Sequence, residues 1–206
     1  LSPRKRTLRA VLESSMDART NLGDRVLALV AQPPGTECQR SARPQDAAAR
    51  AIEGAAGKAA LAAGAMALPV GPLGWATIAP EMLAVWHIQR QLVADIAALY
   101  GRSAELGPAQ MMWCLFRHTA AQALRDLGVR VGERVIVRPA AQALLQRVAG
   151  AVGAHLGKQV ASRALSRWVP LVGAAGVGAY AWWDTRQVGR AALQLFEREQ
   201  VIDNPV

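Results

Sequence analysis

Residues 59–80 read AALAAGAMALPVGPLGWATIAP and residues 168–183 read WVPLVGAAGVGAYAWW, and neither stretch carries a charge. How these two are buried decides the fold. A helix that crosses a bilayer needs about 20 apolar residues able to satisfy their own backbone. The first stretch has Pro69, Gly71, Pro72 and Gly74 at its middle, which breaks it into a helix, a turn and a new helix start. The second has 16 residues. At about 1.5 Å per residue it reaches roughly 24 Å, short of a hydrocarbon core of about 30 Å. Both are expected as buried helices, re-entrant hairpins or helices that insert after a rearrangement. The glycine-lined helices at 54–68 and 171–181 are expected to pack together, or to part and admit an acyl chain.

Outward from these stretches the pattern stays helical. Apolar residues at Leu8, Val11, Leu12, Leu22, Val26, Leu29 and Val30 predict an amphipathic helix over 7–31. Pro33, Pro34, Gly35 and Pro44 mark a loop. A second helix, capped by Asp46, runs to Leu68 through an alanine-rich segment. Pro80 is expected to open a third helix, with Glu81 complementing its dipole and Gly101 ending it as a C′ glycine. A fourth runs from Gly107-Pro108 to Leu127, a fifth starts at Pro139, and a last one extends from Pro170 to Phe196. VRVGERVIV over 129–137 alternates weakly and, with helices on both sides, is read as a loop. Ala60/Gly64, Ala174/Gly178 and Gly153/Gly157 have the four-residue spacing that lets helix backbones approach. The expected architecture is all-α: a compact multi-helix bundle with a buried glycine/alanine-rich helical pair. Its divisions are an N-terminal basic amphipathic helix and Pro-rich linker (1–45), a helical domain (46–200) and a tail (201–206).

Composition narrows the function. The 206 residues are 52% hydrophobic and 19% charged, the opposite of a disordered chain. Two cysteines rule out a disulfide scaffold or a multi-cysteine zinc module. Net charge is +9, and it surrounds the apolar quarter: residues 51–100 hold Lys58 and Arg90 against Glu53, Glu81 and Asp95. A basic surface of this kind meets phosphate, in nucleic acid or in anionic lipid headgroups, or simply solvates the protein. No Cys/His finger, aromatic strand pair or dense arginine helix is present, which argues against nucleic acid. Arg4, Lys5, Arg6 and Arg9 resemble a signal n-region, but Glu13, Asp17 and Asp24 break any apolar run after them. The expected location is the cytoplasm, peripheral to or partly inserted in the inner membrane, with Cys38 and Cys114 reduced.

The segment 71–101, GPLGWATIAPEMLAVWHIQRQLVADIAALYG, and the segment 167–196, RWVPLVGAAGVGAYAWWDTRQVGRAALQLF, carry a resemblance. The first has an apolar glycine-proline turn, a Pro-acid step and a closing Tyr-Gly. The second has a basic residue, a Pro-x-x-Gly turn, a glycine-rich helix and a Thr in order. Together the chain resembles the EcsC family of bacterial proteins over roughly residues 46–197. It departs at Glu81, where the family tends to have Asp, and at Tyr180 to Trp183, where a polar Asn is often seen. The resemblance implies an α-helical protein associated with membranes or membrane transport systems, and it carries over no active site.

Candidate residues fall into two groups. Glu81, His87, Gln91 and Asp95 step around one side of the third helix by about 40° each. They form either a polar spine in an apolar bundle or a set of helix-end and interhelical contacts. Glu81 and Asp95 lie about 21 Å apart along the axis, too far to share one bond as a carboxylate pair. The second group is interfacial: Val70, Leu73 and Trp75 at the first turn, and Trp168, Trp182 and Trp183 around the last apolar helix. In a core of Ala and Gly these indoles could equally be large fillers. His87, His118 and His155 share no turn and no metal-ligand spacing. Cys114 in MMWCLF reads as a small core residue and Cys38 as a loop thiol. GPLG and GAAGVG lack a phosphate-cradle lysine, and no serine sits in a nucleophile elbow. No catalytic residue, metal or cofactor is assigned.

The expected function is a non-catalytic lipid- or membrane-partner-binding module, its arginines on anionic headgroups and its apolar turn in the interface. An alternative is a soluble all-α enzyme or carrier acting on an apolar ligand in a bundle cavity through Glu81 and Asp95. A nucleic-acid binder is a third reading.

Overall fold

A computed structural model describes residues 23–67, 78–125, 128–131, 134–137, 142–166 and 170–199. The expected helix over 7–22, the turn at 68–77, the start at Pro139 and the tail at 201–206 lie outside the described residues. Helix α1 covers 23–31, followed by α2 (Pro44–Met66) and α3 (Ile78–Leu99). A 3-10 turn (Ser103–Glu105), α4 (Pro108–Phe116), a hairpin of β1 (Gly128–Val131) and β2 (Arg134–Val137), α5 (Gln142–Ser166) and α6 (Pro170–Glu199) complete the chain. The bundle is helical, as expected. Its central layer is α2, with α6 and α3 both packed along it.

The helical pair explains the small residues. On α2 the buried positions are Ala48, Ile52, Ala56, Ala59 and Ala63, a spacing of three or four that keeps one face toward its neighbours. A methyl group added at Gly178 of α6 would stand 3.0 Å from the Ala60 carbonyl oxygen and 3.8 Å from Gly64 Cα. The backbones therefore touch with no side chain between them. At Gly189 the same atom would fall 2.5 Å from Ile52 Cγ1, so the missing side chain is the hole into which Ile52 fits. Four glycines in α6, Gly173, Gly176, Gly178 and Gly189, cost about 1 kcal/mol each relative to alanine. Close packing offsets that cost where contact is made; at Gly176 nothing approaches within 4 Å.

Residues 23–45 are part of the bundle. Val26, Leu29 and Val30 of α1 lie in the same core as Leu92, Ile96, Met111 and Phe196. The linker is held on α3: Ser41 N–H donates to the Leu99 carbonyl (3.0 Å) and Arg90 to that of Gln32 (2.8 Å). Gly150 of α5 lies against Gly23, and Val148, Ala149 and Val152 join the core.

Helix ends follow local chemistry with three corrections. Gly101 has φ +72°, Gly101 N–H donates to Ala98 (2.8 Å) and Arg102 N–H to Ala97 (2.7 Å), which is a Schellman motif at the expected glycine. Asp46 does not cap α2. Pro44 takes the first helical position after Arg43 and leaves Asp46 in the first turn, where it complements the dipole. Helix α3 starts at Ile78, two residues before Pro80; the proline is tolerated because first-turn N–H groups have no intrahelical acceptor. Helix α4 ends at Phe116 and not at Leu127. There the Thr119 hydroxyl donates to the Phe116 carbonyl (3.2 Å), competing with the helical ladder, and turns continue to 125. The segment read as a loop is an antiparallel hairpin, with Val131 paired to Arg134 and only Gly132 and Glu133 between the strands. It is an appendage to the bundle, making contact with α4 and α6.

Cys114 is fully buried, and burial pushes its thiol up to about 12 from 9, with Arg117 pulling weakly the other way. The unfolded chain ionises this thiol at a lower pH than the folded chain. Its contribution to stability is complete below pH 9 and is lost as pH rises from about 9 toward 12. Urea unfolding across that window should show a shallower alkaline loss in Cys114→Ala than in the parent; an identical slope would contradict the burial.

The glycine pair supplies a second test. Gly178→Ala should destabilise despite its gain of about 1 kcal/mol in helix propensity, while Gly176→Ala should stabilise by up to about that amount. Thermal unfolding of the two variants should move the midpoint in opposite directions; a shift upward in both would contradict the backbone contact.

Candidate functional site

Helix α3 buries Met82, Val85, Trp86, Gln89, Leu92, Val93 and Ile96, positions three and four apart on one face. Gln89 is a polar member of that stripe, and Glu81 is buried one turn before Val85. The buried stripe of α6 includes Ala181, Asp184, Thr185, Val188, Ala192 and Leu195, again with polar residues inside it. Packing of the two stripes brings the polar members together. Gln89 Nε2 donates to Asp184 Oδ2 (2.6 Å) and Thr185 Oγ1 (3.2 Å). His118, in the turn after α4, donates from Nε2 to Asp184 Oδ1 (2.8 Å). Both carboxylate oxygens thus accept a hydrogen bond, the arrangement that lets a carboxylate be buried.

This His–Asp pair has the donor geometry of a base held by an orienting carboxylate. His118 Nδ1 is nonetheless buried and makes no hydrogen bond, as does Gln89 Oε1. The adjacent cavity, lined by Glu81, Trp86, Phe116, Thr119, Tyr180 and Asp184, has a volume of about 40 Å³. That holds about one to three waters and no organic substrate. Trp86 and Phe116 close it edge to face at 5.6 Å. The arrangement is a polar clamp joining α3, α4 and α6. Among the described residues no group of three His, Cys, Asp or Glu side chains could hold a metal.

The residues singled out on α3 do not converge. Glu81 is buried and lines the cavity. His87 is exposed, and its Nδ1 donates to the Leu83 carbonyl (2.7 Å). Gln91 donates to Asp95 Oδ1 (2.9 Å) and the Gly35 carbonyl (3.1 Å), and the Thr36 hydroxyl donates to the same Asp95 oxygen (2.6 Å). Gln91 and Asp95 therefore fasten the linker, and Glu81 belongs to a different neighbourhood. The partners that matter at the clamp, Gln89, His118, Asp184 and Thr185, were readable only as polar residues interrupting apolar faces.

The interfacial residues divide likewise. Val70, Leu73, Trp75 and Trp168 lie outside the described residues. Trp182 and Trp183 are 37% and 46% exposed. The Arg186 guanidinium sits 4.4 Å over the Trp182 ring and pairs with Glu53 (2.9 Å). Trp183 packs against Tyr180 and against His118, with ring centroids at 5.8 and 6.1 Å. Among the described residues no helix is long and apolar enough to cross a membrane.

Replacing Asp184 by Ala removes the acceptor of the half-buried His118 Nε2 and one of the two acceptors of the buried Gln89 Nε2, and should cost about 2–3 kcal/mol of stability. A double-mutant cycle with His118→Ala, followed by urea unfolding, should give a coupling of about 1 kcal/mol or more. Simple additivity would mean that the pair is not formed.

Comparison with protein-family models, with curated proteins and with solved structures found no match to this chain.

Proposed function

We propose that this chain is a non-catalytic helical module of the EcsC type that associates with an anionic membrane surface on the cytoplasmic side. The observation that carries the reading is the surface pair Trp182–Trp183 beside Arg186. Indole is amphipathic and gains most at the boundary between hydrocarbon and headgroup. Each arginine near an anionic surface adds about 1 kcal/mol, and that part weakens with salt. The resemblance of residues 71–101 and 167–196 to the EcsC pattern supports the same assignment. The alternative, an enzyme or carrier with an apolar ligand inside the bundle, draws no support from a cavity of about 40 Å³.

Purified protein should sediment with vesicles of phosphatidylglycerol and phosphatidylcholine at low salt, and high salt should release most of it. Trp182→Ala/Trp183→Ala should reduce the bound fraction several-fold while leaving the circular dichroism unchanged. No sedimentation of the parent at low salt would refute the proposal.

A further inference from the structure

The turn after α4 and the outer face of α6 enclose a second, larger space: a surface groove of about 580 Å³. Ligand sites commonly fall between about 300 and 1,000 Å³. Arg117 and Arg125 line one wall, Arg190 the other, and among the described residues no carboxylate lines the groove. Gln187, Arg190 and Gln194 recur on α6 at spacings of three and four, so they present one face. Elsewhere on the surface arginines find acids, as in Arg102–Glu105 and Arg186–Glu53. Among the described residues none of these three is in an ion pair with a carboxylate. The nearby Asp184 already accepts from His118 and Gln89.

Three guanidinium groups around one groove repel each other, a cost that an anionic occupant removes. The groove is also prepared for one. Arg117 rests over the Trp113 ring at 5.5 Å and donates from one terminal nitrogen to Gln194 Oε1 (2.6 Å). Its position is thereby fixed, and most of its five N–H donors are left for another acceptor. A fixed guanidinium fork suits a tetrahedral anion with several acceptor oxygens better than a single carboxylate opposite three cations.

We infer that the groove between the α4 turn and α6 binds the phosphate group of a small ester, held by Arg117, Arg125 and Arg190. The phosphate comes from a soluble phosphomonoester or from a lipid headgroup, and the site is independent of whether Trp182 and Trp183 enter a membrane.

Calorimetric titration of the full chain with glycerol 3-phosphate, and with dihexanoyl phosphatidylglycerol below its micelle concentration, tests this. At least one probe should bind, glycerol should not, and Arg117→Gln/Arg125→Gln/Arg190→Gln should lower the affinity at least about tenfold. Arg190→Gln alone, at an exposed position, should lower it several-fold and covers the case in which the triple variant fails to fold. Preference for the monoester assigns a soluble source, and preference for the diester assigns a headgroup. Absence of binding by both probes, or equal binding by the arginine variants, overturns the inference. Trp182→Ala/Trp183→Ala should keep phosphate affinity. Loss of vesicle sedimentation by the parent with phosphate binding intact would sink the membrane reading alone.

Discussion

The contact between the α2 and α6 backbones is the constraint on which the rest of the structure depends. Gly178 brings α6 against the Ala60 carbonyl, and Gly189 receives Ile52 about three turns further along. Two anchor points fix both the distance and the rotation of α6 on α2. With α6 so placed, its Asp184 and Thr185 point into the bundle at the level of Gln89 on α3. The same rotation leaves Trp182, Trp183 and Arg190 on the outer side. Clamp, aromatic pair and arginine groove are therefore three consequences of one helix–helix seam.

The buried face of α2 is alanine but for Ile52 and buries little apolar area per residue, so the seam gains stability from closeness rather than from bulk. Larger side chains collect where α3 and α4 meet: Trp86, Met111, Met112, Leu115 and Phe116 are all buried there. At the far end, Gln45 and Glu197 hydrogen-bond across α2 and α6. Burial, reinforced by the charge of Glu197, raises the pKa of Tyr100 at the same end. The polar clamp sits between the small-residue seam and the aromatic cluster. Its hydrogen bonds join α3, the turn after α4 and α6, which gives it a role in fixing the helices.

Much of this was legible in the sequence because helix signals are local. Gly101 ends α3 where a left-handed residue was expected, and the small-residue spacings on α2 and α6 mark the surfaces that meet. What was not legible depended on distant partners. His118 sits in a predicted helix that ends early, and its bond is to a residue 66 positions away. The hairpin at 128–137 has four residues per strand, too few for a pattern to distinguish from a loop. Gln89, Asp184 and Thr185 interrupt apolar stripes, a signal available in the sequence, but nothing local says that they interrupt them at the same height. Glu81, His87, Gln91 and Asp95 share a side of a helical wheel yet serve three different neighbours, because the wheel ignores what packs against each turn. Arg117, Arg125 and Arg190 are ordinary surface arginines until the turn after α4 and helix α6 bring them to one groove.

The central claim is that the α2–α6 seam is the most stable unit of the fold. Native-state hydrogen exchange read by mass spectrometry tests it without altering a residue. The account predicts that peptides covering 52–63 and 181–196 exchange last and together, at the free energy of global unfolding. Exchange of either segment ahead of the 142–155 stretch of α5, or at rates that differ between the two, would contradict it.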